Sequence, residues 1–150
     1  EVRALKEHIK KFVFTNGCFD LIHVGHVRYF SEARALGDVL IVGVNTDDSI
    51  KKIKDPRRPI VPQAERLEVL SALACVDYLV LFSDETPLHL ITALTPDILV
   101  KGGDWNLHQI VGREHVEQHG GRVVRIRVVE GASTTSIIDR VLERFKDPPA

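Results

Sequence analysis

The sequence predicts an α/β fold: a single Rossmann-like, doubly wound five-stranded parallel sheet with helices on both faces. Three observations predict it. Short apolar runs closed by turn residues recur along the chain, and segments of helical period separate them. At 150 residues and 44% hydrophobic content, the chain has enough apolar mass for one ordinary core. One domain over residues 1–150 is therefore expected.

The first strand is expected at 11–16 (KFVFTN), closing on Gly17. A helix over 24–36 follows and stops at Gly37, since glycine readily takes the left-handed backbone that ends helices. Residues 39–45 (VLIVGVN) are apolar almost without a break, as a parallel strand buried on both faces must be. Residues 51–58 contain Lys51, Lys52, Lys54, Arg57 and Arg58, with Pro56 and Pro59, and read as a mobile basic loop. A helix over 63–76 places Leu67, Leu70, Leu73 and Ala74 on one stripe. Further strands are expected at 77–82, 97–100 and 122–128. Thr86-Pro87 opens a helix with proline at the first helical position, where its missing N–H costs nothing. The last helix runs over 134–145, and Pro148-Pro149 bars its extension.

Charge excludes some partners. Twenty basic and twenty-one acidic side chains leave a net −1, so bulk binding to nucleic acid or to an anionic membrane is not expected. Two cysteines, Cys18 and Cys75, make no disulfide framework. No apolar run approaches the ~18–20 residues of a membrane span, and no charged-then-apolar segment opens the chain. A cytoplasmic location is expected.

In doubly wound sheets ligands lie beyond the carboxyl ends of the strands, where the strand order reverses. The segments after the strands are therefore the places to look. After strand one comes His23-Val24-Gly25-His26. Two imidazoles three residues apart at a helix start share a face, and Gly25 leaves room for a phosphate near the backbone. Free N–H groups and the helix dipole add positive potential. Such a pocket suits an anion whose charge grows during reaction. A zinc site from His23, His26 and Cys18 is a weaker reading, because no second ligand cluster completes it. No protein-held metal is expected.

Three more segments stand at the same edge. Glu130-Gly131-Ala132-Ser133-Thr134-Thr135 offers hydroxyls that are either helix caps or a second anion cradle. The basic loop is either a solvated surface or a lid over a polyphosphate, with Lys51 and Lys54 as its candidate contacts. Lys101-Gly102-Gly103-Asp104-Trp105 exposes backbone that suits a base edge, although Trp105 is equally a core residue.

The runs GCFDLIHVGH, VKGGDW and EGASTTSI resemble the cytidylyltransferase-like nucleotidyltransferase family across nearly the whole chain. TNGCFDLIHVGHVRYFSEARALGD and RPIVPQAERLEVLSAL look most like its branch that adenylylates D-glycero-β-D-manno-heptose 1-phosphate. The resemblance implies AMP transfer from ATP, accompanied by Mg²⁺, to a sugar phosphate, often in a homodimer. It implies catalytic roles for His23, His26, Ser133 and Thr134. It places Cys18, Phe19, Gly25, Arg66, Gly102, Val128, Glu130, Gly131 and Thr135 around the nucleotide. Asp20 and Asp104 would be structural or water-mediated partners. Ile138 stands where coenzyme A and NAD branches carry an arginine, which argues against those branches. A glycerol-3-phosphate cytidylyltransferase-like enzyme, or a non-catalytic nucleotide-binding regulator, remains as an alternative.

Overall fold

The computed structural model describes residues 11–103 and 106–146. Strands β1 (Phe12–Gly17), β2 (Val39–Asn45), β3 (Tyr78–Phe82), β4 (Ile98–Gly102) and β5 (Arg122–Ile126) form one all-parallel sheet. Their order is β3-β2-β1-β4-β5. Six α-helices accompany them among the described residues: α1 (Val24–Arg34), α2 (Asp47–Ile53), α3 (Gln63–Ser71), α4 (Leu88–Leu94), α5 (Arg113–Gln118) and α6 (Thr134–Arg144). None of these helices is long and apolar enough to cross a membrane.

The two-residue period of a strand sorts the apolar side chains to two faces. Val13, Leu40, Val42, Val44, Ile98 and Val100 lie in one core with Phe30 and Ala33 of α1 and Leu70 of α3. Phe12, Phe14, Ile41 and Leu99 lie in the other with Ile91 and Leu94 of α4 and Val116 of α5. Both faces are covered, so the central strands need apolar residues at every position. That is why their sequences are continuous rather than alternating. Three aspartates hold the strand starts: Asp38, Asp97 and Asp77 accept from the backbone N–H of Lys11, Phe12 and Leu40 at 2.8 Å each.

The expected architecture is met, with local corrections. The first three residues of the supposed basic loop, 51–53, belong to helix α2, capped by Thr46 Oγ1 accepting from the Ser49 N–H. Asp47 and Asp48 in its first turn and Lys51 and Lys52 in its last complement its dipole. Helix α5 was not expected; it is six residues long and begins after Gly112, whose φ is +85°. Helix α3 ends at Ser71, short of 76, and β5 ends at Ile126, short of 128. Pro87 caps α4 rather than occupying its first turn. Helix α1 ends at Arg34, and Gly37 serves packing instead of capping: a Cβ there would meet Val13 Cγ2 at 2.8 Å and the Lys11 carbonyl at 2.9 Å.

The chain leaves β1 toward β2 and later returns to β4 on the other side, so the order reverses between β1 and β4. There the ladder is short. Val13 pairs with Ile98 and Phe14 with Leu99, whereas β1 and β2 pair over all six β1 residues. The carboxyl ends of β1 and β4 separate beyond Phe14 and Leu99. The Tyr29 hydroxyl lies in the split, 2.6 Å from Thr15 Oγ1 and donating to the Val100 carbonyl at 3.2 Å. This opening is the topological switch crevice.

Candidate functional site

The turn leaving β1 shapes the crevice floor. Phe19 takes a positive φ of 47°, uncommon for a bulky residue. Its ring folds back over Gly17, where a Cβ would lie 2.8 Å from Phe19 Cζ. The folded ring meets His26 edge-on at 5.6 Å and Phe30 at 4.9 Å. Asp20, next in the turn, is buried, and its carboxylate accepts from the Ile60 and Val61 N–H groups and from Arg58 Nε. Burial works to raise its pKa, but the N–H groups of Val61 and Ile60 and the Arg58 guanidinium outweigh it. Asp20 therefore stays ionised and ties the segment after α2 to the floor.

His23 is the N-cap of α1, and its Nδ1 accepts from the Gly25 N–H at 3.1 Å. His26 Nδ1 accepts from the His23 N–H at 3.4 Å, completing a reciprocal capping box. The rings lie 3.9 Å apart at 32°. Burial lowers the pKa of both, and for His26 burial together with the neighbouring His23 brings it down to about 4. With Nδ1 accepting and the ring neutral, each imidazole carries its proton on Nε2 as a donor. Gly25 has a different use from the one expected. A Cβ there would stand 2.9 Å from His23 Nδ1 and Cε1, so glycine lets the imidazole fold over the helix end.

Two adjoining chambers meet at His26. The smaller, about 320 Å³, is lined by His23, Gly25, His26, Tyr29, Gly102, Val128, Val129, Ala132, Ser133 and Thr134, with Asn16 and Phe19. The larger, about 550 Å³, shares Asn16, Phe19, His26, Gly102 and Thr134 and adds Cys18, Asp20, Lys54, Arg58, Lys101 and Thr135 among others. One is walled by valines and alanine; the other carries three cationic side chains.

Most residues expected from sequence thus reach the crevice, but four do not. Arg66 is buried behind it: its guanidinium donates to the carbonyls of Cys18, Asn45 and Val61 and pairs with Asp47 at 2.8 Å. It fastens the ends of β1 and β2 to α2 rather than facing a phosphate. Lys51 sits on α2 against Asp48 at 3.4 Å, outside both chambers. Glu130 and Gly131 lie in an exposed turn outside both linings, where Gly131 takes a φ of +74°. Asp104 and Trp105 are outside the described residues. Ser133 is partly the cap anticipated, its Oγ accepting from the Ser136 N–H at 3.0 Å. Among the described residues its hydroxyl donates to no acceptor, and it lines the smaller chamber.

Sequence reasoning missed Asn16 and Tyr29, and it placed Lys101 only in a base-reading segment. Lys101 Nζ donates to Asn16 Oδ1 at 2.5 Å across the β1–β4 split. Among the described residues, no group of three or more His, Cys, Asp or Glu side chains is placed to hold a metal ion. The zinc reading has no structural support there.

Residues 14–140 match the family described as cytidylyltransferase-like. The chain belongs to that family. A relative from Syntrophotalea carbinolica, Bifunctional protein HldE, is 55% identical over 137 residues, 91% of this chain and 28% of its own. Its namesake from Pelobacter propionicus is 53% identical over 144 residues, 96% of this chain and 30% of its own. The chain thus spans under a third of the length of these relatives. Among solved structures, the lipopolysaccharide core biosynthesis protein of Thermoplasma volcanium matches with a TM-score of 0.65 and 26% identity. That match covers 79% of this chain and 96% of the other. A pantothenate synthetase from Thermus thermophilus shares the fold alone, at 18% identity and TM-score 0.59 over 96% of this chain and 71% of its own. The nucleotidyltransferase family expected from the sequence motifs is therefore met.

Proposed function

We propose that this cytidylyltransferase-like chain transfers AMP from ATP to D-glycero-β-D-manno-heptose 1-phosphate, giving ADP-heptose and pyrophosphate. The observation that carries the reading is the pair of dissimilar chambers meeting at His26. The valine-walled one suits a nucleoside, and the cationic one suits a second phosphorylated substrate. The junction between them is where an α-phosphate would sit. We further propose that the protein works as a homodimer in the cytoplasm and that Mg²⁺ arrives with ATP as part of the substrate. Magnesium commonly keeps its waters and phosphate ligands in this way.

An oxygen of the acceptor phosphate attacks the α-phosphorus in line. The new P–O bond forms as the bond from α-phosphorus to the bridging oxygen of pyrophosphate breaks. The acceptor is already ionised at pH 7, so no general base is needed and no proton changes hands. The protein contributes position and charge stabilisation. His23 and His26 would donate Nε2–H to the α-phosphate oxygens, backed by the N-terminus of α1. Ser133, Thr134 and Thr135, at the N-terminus of α6, would donate to the leaving phosphates. Tyr29 holds the crevice open by keeping Thr15 and Val100 bridged rather than paired.

The test is a grid of four nucleoside triphosphates against several phosphorylated acceptors, read by pyrophosphate release with Mg²⁺ present. ATP should exceed CTP by at least ~10-fold in kcat/KM, because a site pairing with one base leaves ~1–3 kcal/mol unmet per polar group with another. Heptose 1-phosphate should be the best acceptor. CTP with glycerol 3-phosphate as the best pair would overturn the substrate assignment.

A further inference from the structure

We propose that Lys101 holds the phosphate of the acceptor, and so aims the attacking oxygen, as a determinant of acceptor binding separate from the ATP site. The inference rests on the adenylyl-transfer reading.

Lys101 is the penultimate residue of β4, two residues past the last pair of the β1–β4 ladder. Register therefore sets it opposite Asn16 across the open split, and its Nζ donates to Asn16 Oδ1. The ammonium has three N–H donors, and this neutral amide engages one. Among the described residues, no carboxylate pairs with it. The other cations around the crevice are differently placed. Arg58 pairs with Asp20, Arg66 pairs with Asp47, and Lys54 is exposed at the rim.

A partly buried ammonium without a counter-charge is costly to keep. Burial pushes its pKa down to about 8, so the amine is still mainly charged at pH 7. Such a cation is completed by an anion that arrives with a ligand. Position indicates which anion. Lys101 lines the larger chamber and is absent from the lining of the smaller one, where the nucleoside would lie. Its neighbour Gly102 borders both chambers, and a Cβ there would press on Tyr29 at 3.3 Å. The strand end thus runs along the partition, with the ammonium on the acceptor side. Asn16 fixes the lysine's direction, since a flexible side chain would otherwise sample the whole chamber.

The test compares wild type with Lys101→Met and Lys101→Arg, measuring KM for heptose 1-phosphate and for ATP separately. Lys101→Met should raise the acceptor KM at least ~10-fold, the scale for one charged hydrogen bond, with the ATP KM changed less than ~2-fold. Lys101→Arg should recover part of the loss by restoring the charge. An unchanged acceptor KM, or an equal rise in the ATP KM, overturns the proposal while wild-type turnover leaves the adenylyl-transfer reading intact. If wild type shows no turnover, that reading fails, and a second measurement still judges Lys101. Acetylation of its amine by acetic anhydride, followed by mass spectrometry, should slow at least ~5-fold with saturating heptose 1-phosphate and little with a non-hydrolysable ATP analogue alone. Protection by the analogue alone, or by neither compound, overturns the proposal.

Discussion

Helices α1 and α6 begin with the same local device in opposite surroundings. Each opens on a reciprocal capping box, His23 with His26 in α1 and Ser133 with Ser136 in α6. In α1 the box is welded to the core: Phe30 and Ala33 are fully buried, and Phe19 and Phe30 flank the His26 ring. In α6 no residue is buried, and Val141, Leu142 and Phe145 are exposed. Donors aimed at a charge that develops during reaction must be in place beforehand, because reorganising them would consume the stabilisation they offer. Donors that only hold a bound group can be ordered by that group as it binds. In the proposed reaction the embedding, not the cap itself, would make α1 the reactive end and α6 the holding end.

The strongest way to break this comparison is to remove one donor from each end. His26→Ala and His23→Ala should each lower kcat at least ~10²-fold with a modest change in ATP affinity. Ser133→Ala should leave kcat within ~10-fold of wild type and act mainly on the ATP KM and on α6, since losing an N-cap costs ~1 kcal/mol. Steady-state kinetics over both substrates decides it. A kcat loss for Ser133→Ala as large as for His26→Ala would make the two ends equivalent.

A subtler break leaves both imidazoles in place and disturbs only how one is held. Alanine at position 25 would put a Cβ 2.9 Å from the His23 ring, which must swing away and release the Gly25 N–H from its Nδ1. Gly25→Ala should lower kcat ~10-fold or more while the folded state survives, because alanine favours helix by ~1 kcal/mol over glycine. Nitrogen NMR of the His23 ring should show loss of the fixed Nε2–H tautomer. Wild-type kcat with a displaced ring would show that His23 needs no preorganisation.

The same contrast explains what was legible from sequence. The sheet was, because burial on both faces forces apolar runs such as Val39–Asn45 that few other structures require. The histidine pair was, because its spacing and its place after β1 are local facts. Helix α2 was hidden by its lysines, although Thr46, Asp47 and Asp48 at its start and the basic last turn were signals in plain view. Arg66 was misplaced because its partners converge from positions 18, 45, 47 and 61, and no local pattern announces a guanidinium turned inward. Tyr29 was overlooked, and Lys101 was read only as part of a base-facing segment, for the same reason. Their partners lie 14 to 85 residues away, across a split that exists only once the strands are ordered.

The smallest expected effect tests the embedding by pH. The His26 imidazole titrates near 4 in the folded protein because burial and the adjacent His23 oppose its charge, against an ordinary value of 6.5 when unfolded. Between those values the unfolded chain binds the extra proton, so stability falls as pH drops from 6.5 toward 4 and this contribution levels off below. His23 is shifted in the same direction by burial and adds to the trend. His26→Asn keeps a polar side chain but cannot titrate, so it should lose less stability than wild type on going from pH 7.5 to 5. The difference in Tm shift should be a few degrees, read by calorimetry at matched ionic strength. Ser133→Ala, which removes no titrating group, should lower Tm by about the same amount at both pH values. Bound ATP should shrink the acid sensitivity of wild type, because phosphate beside the pair favours the charged imidazole that burial opposes. If wild type and His26→Asn respond identically to acid, His26 is solvated in solution, and the rigid, buried character assigned to the α1 end fails.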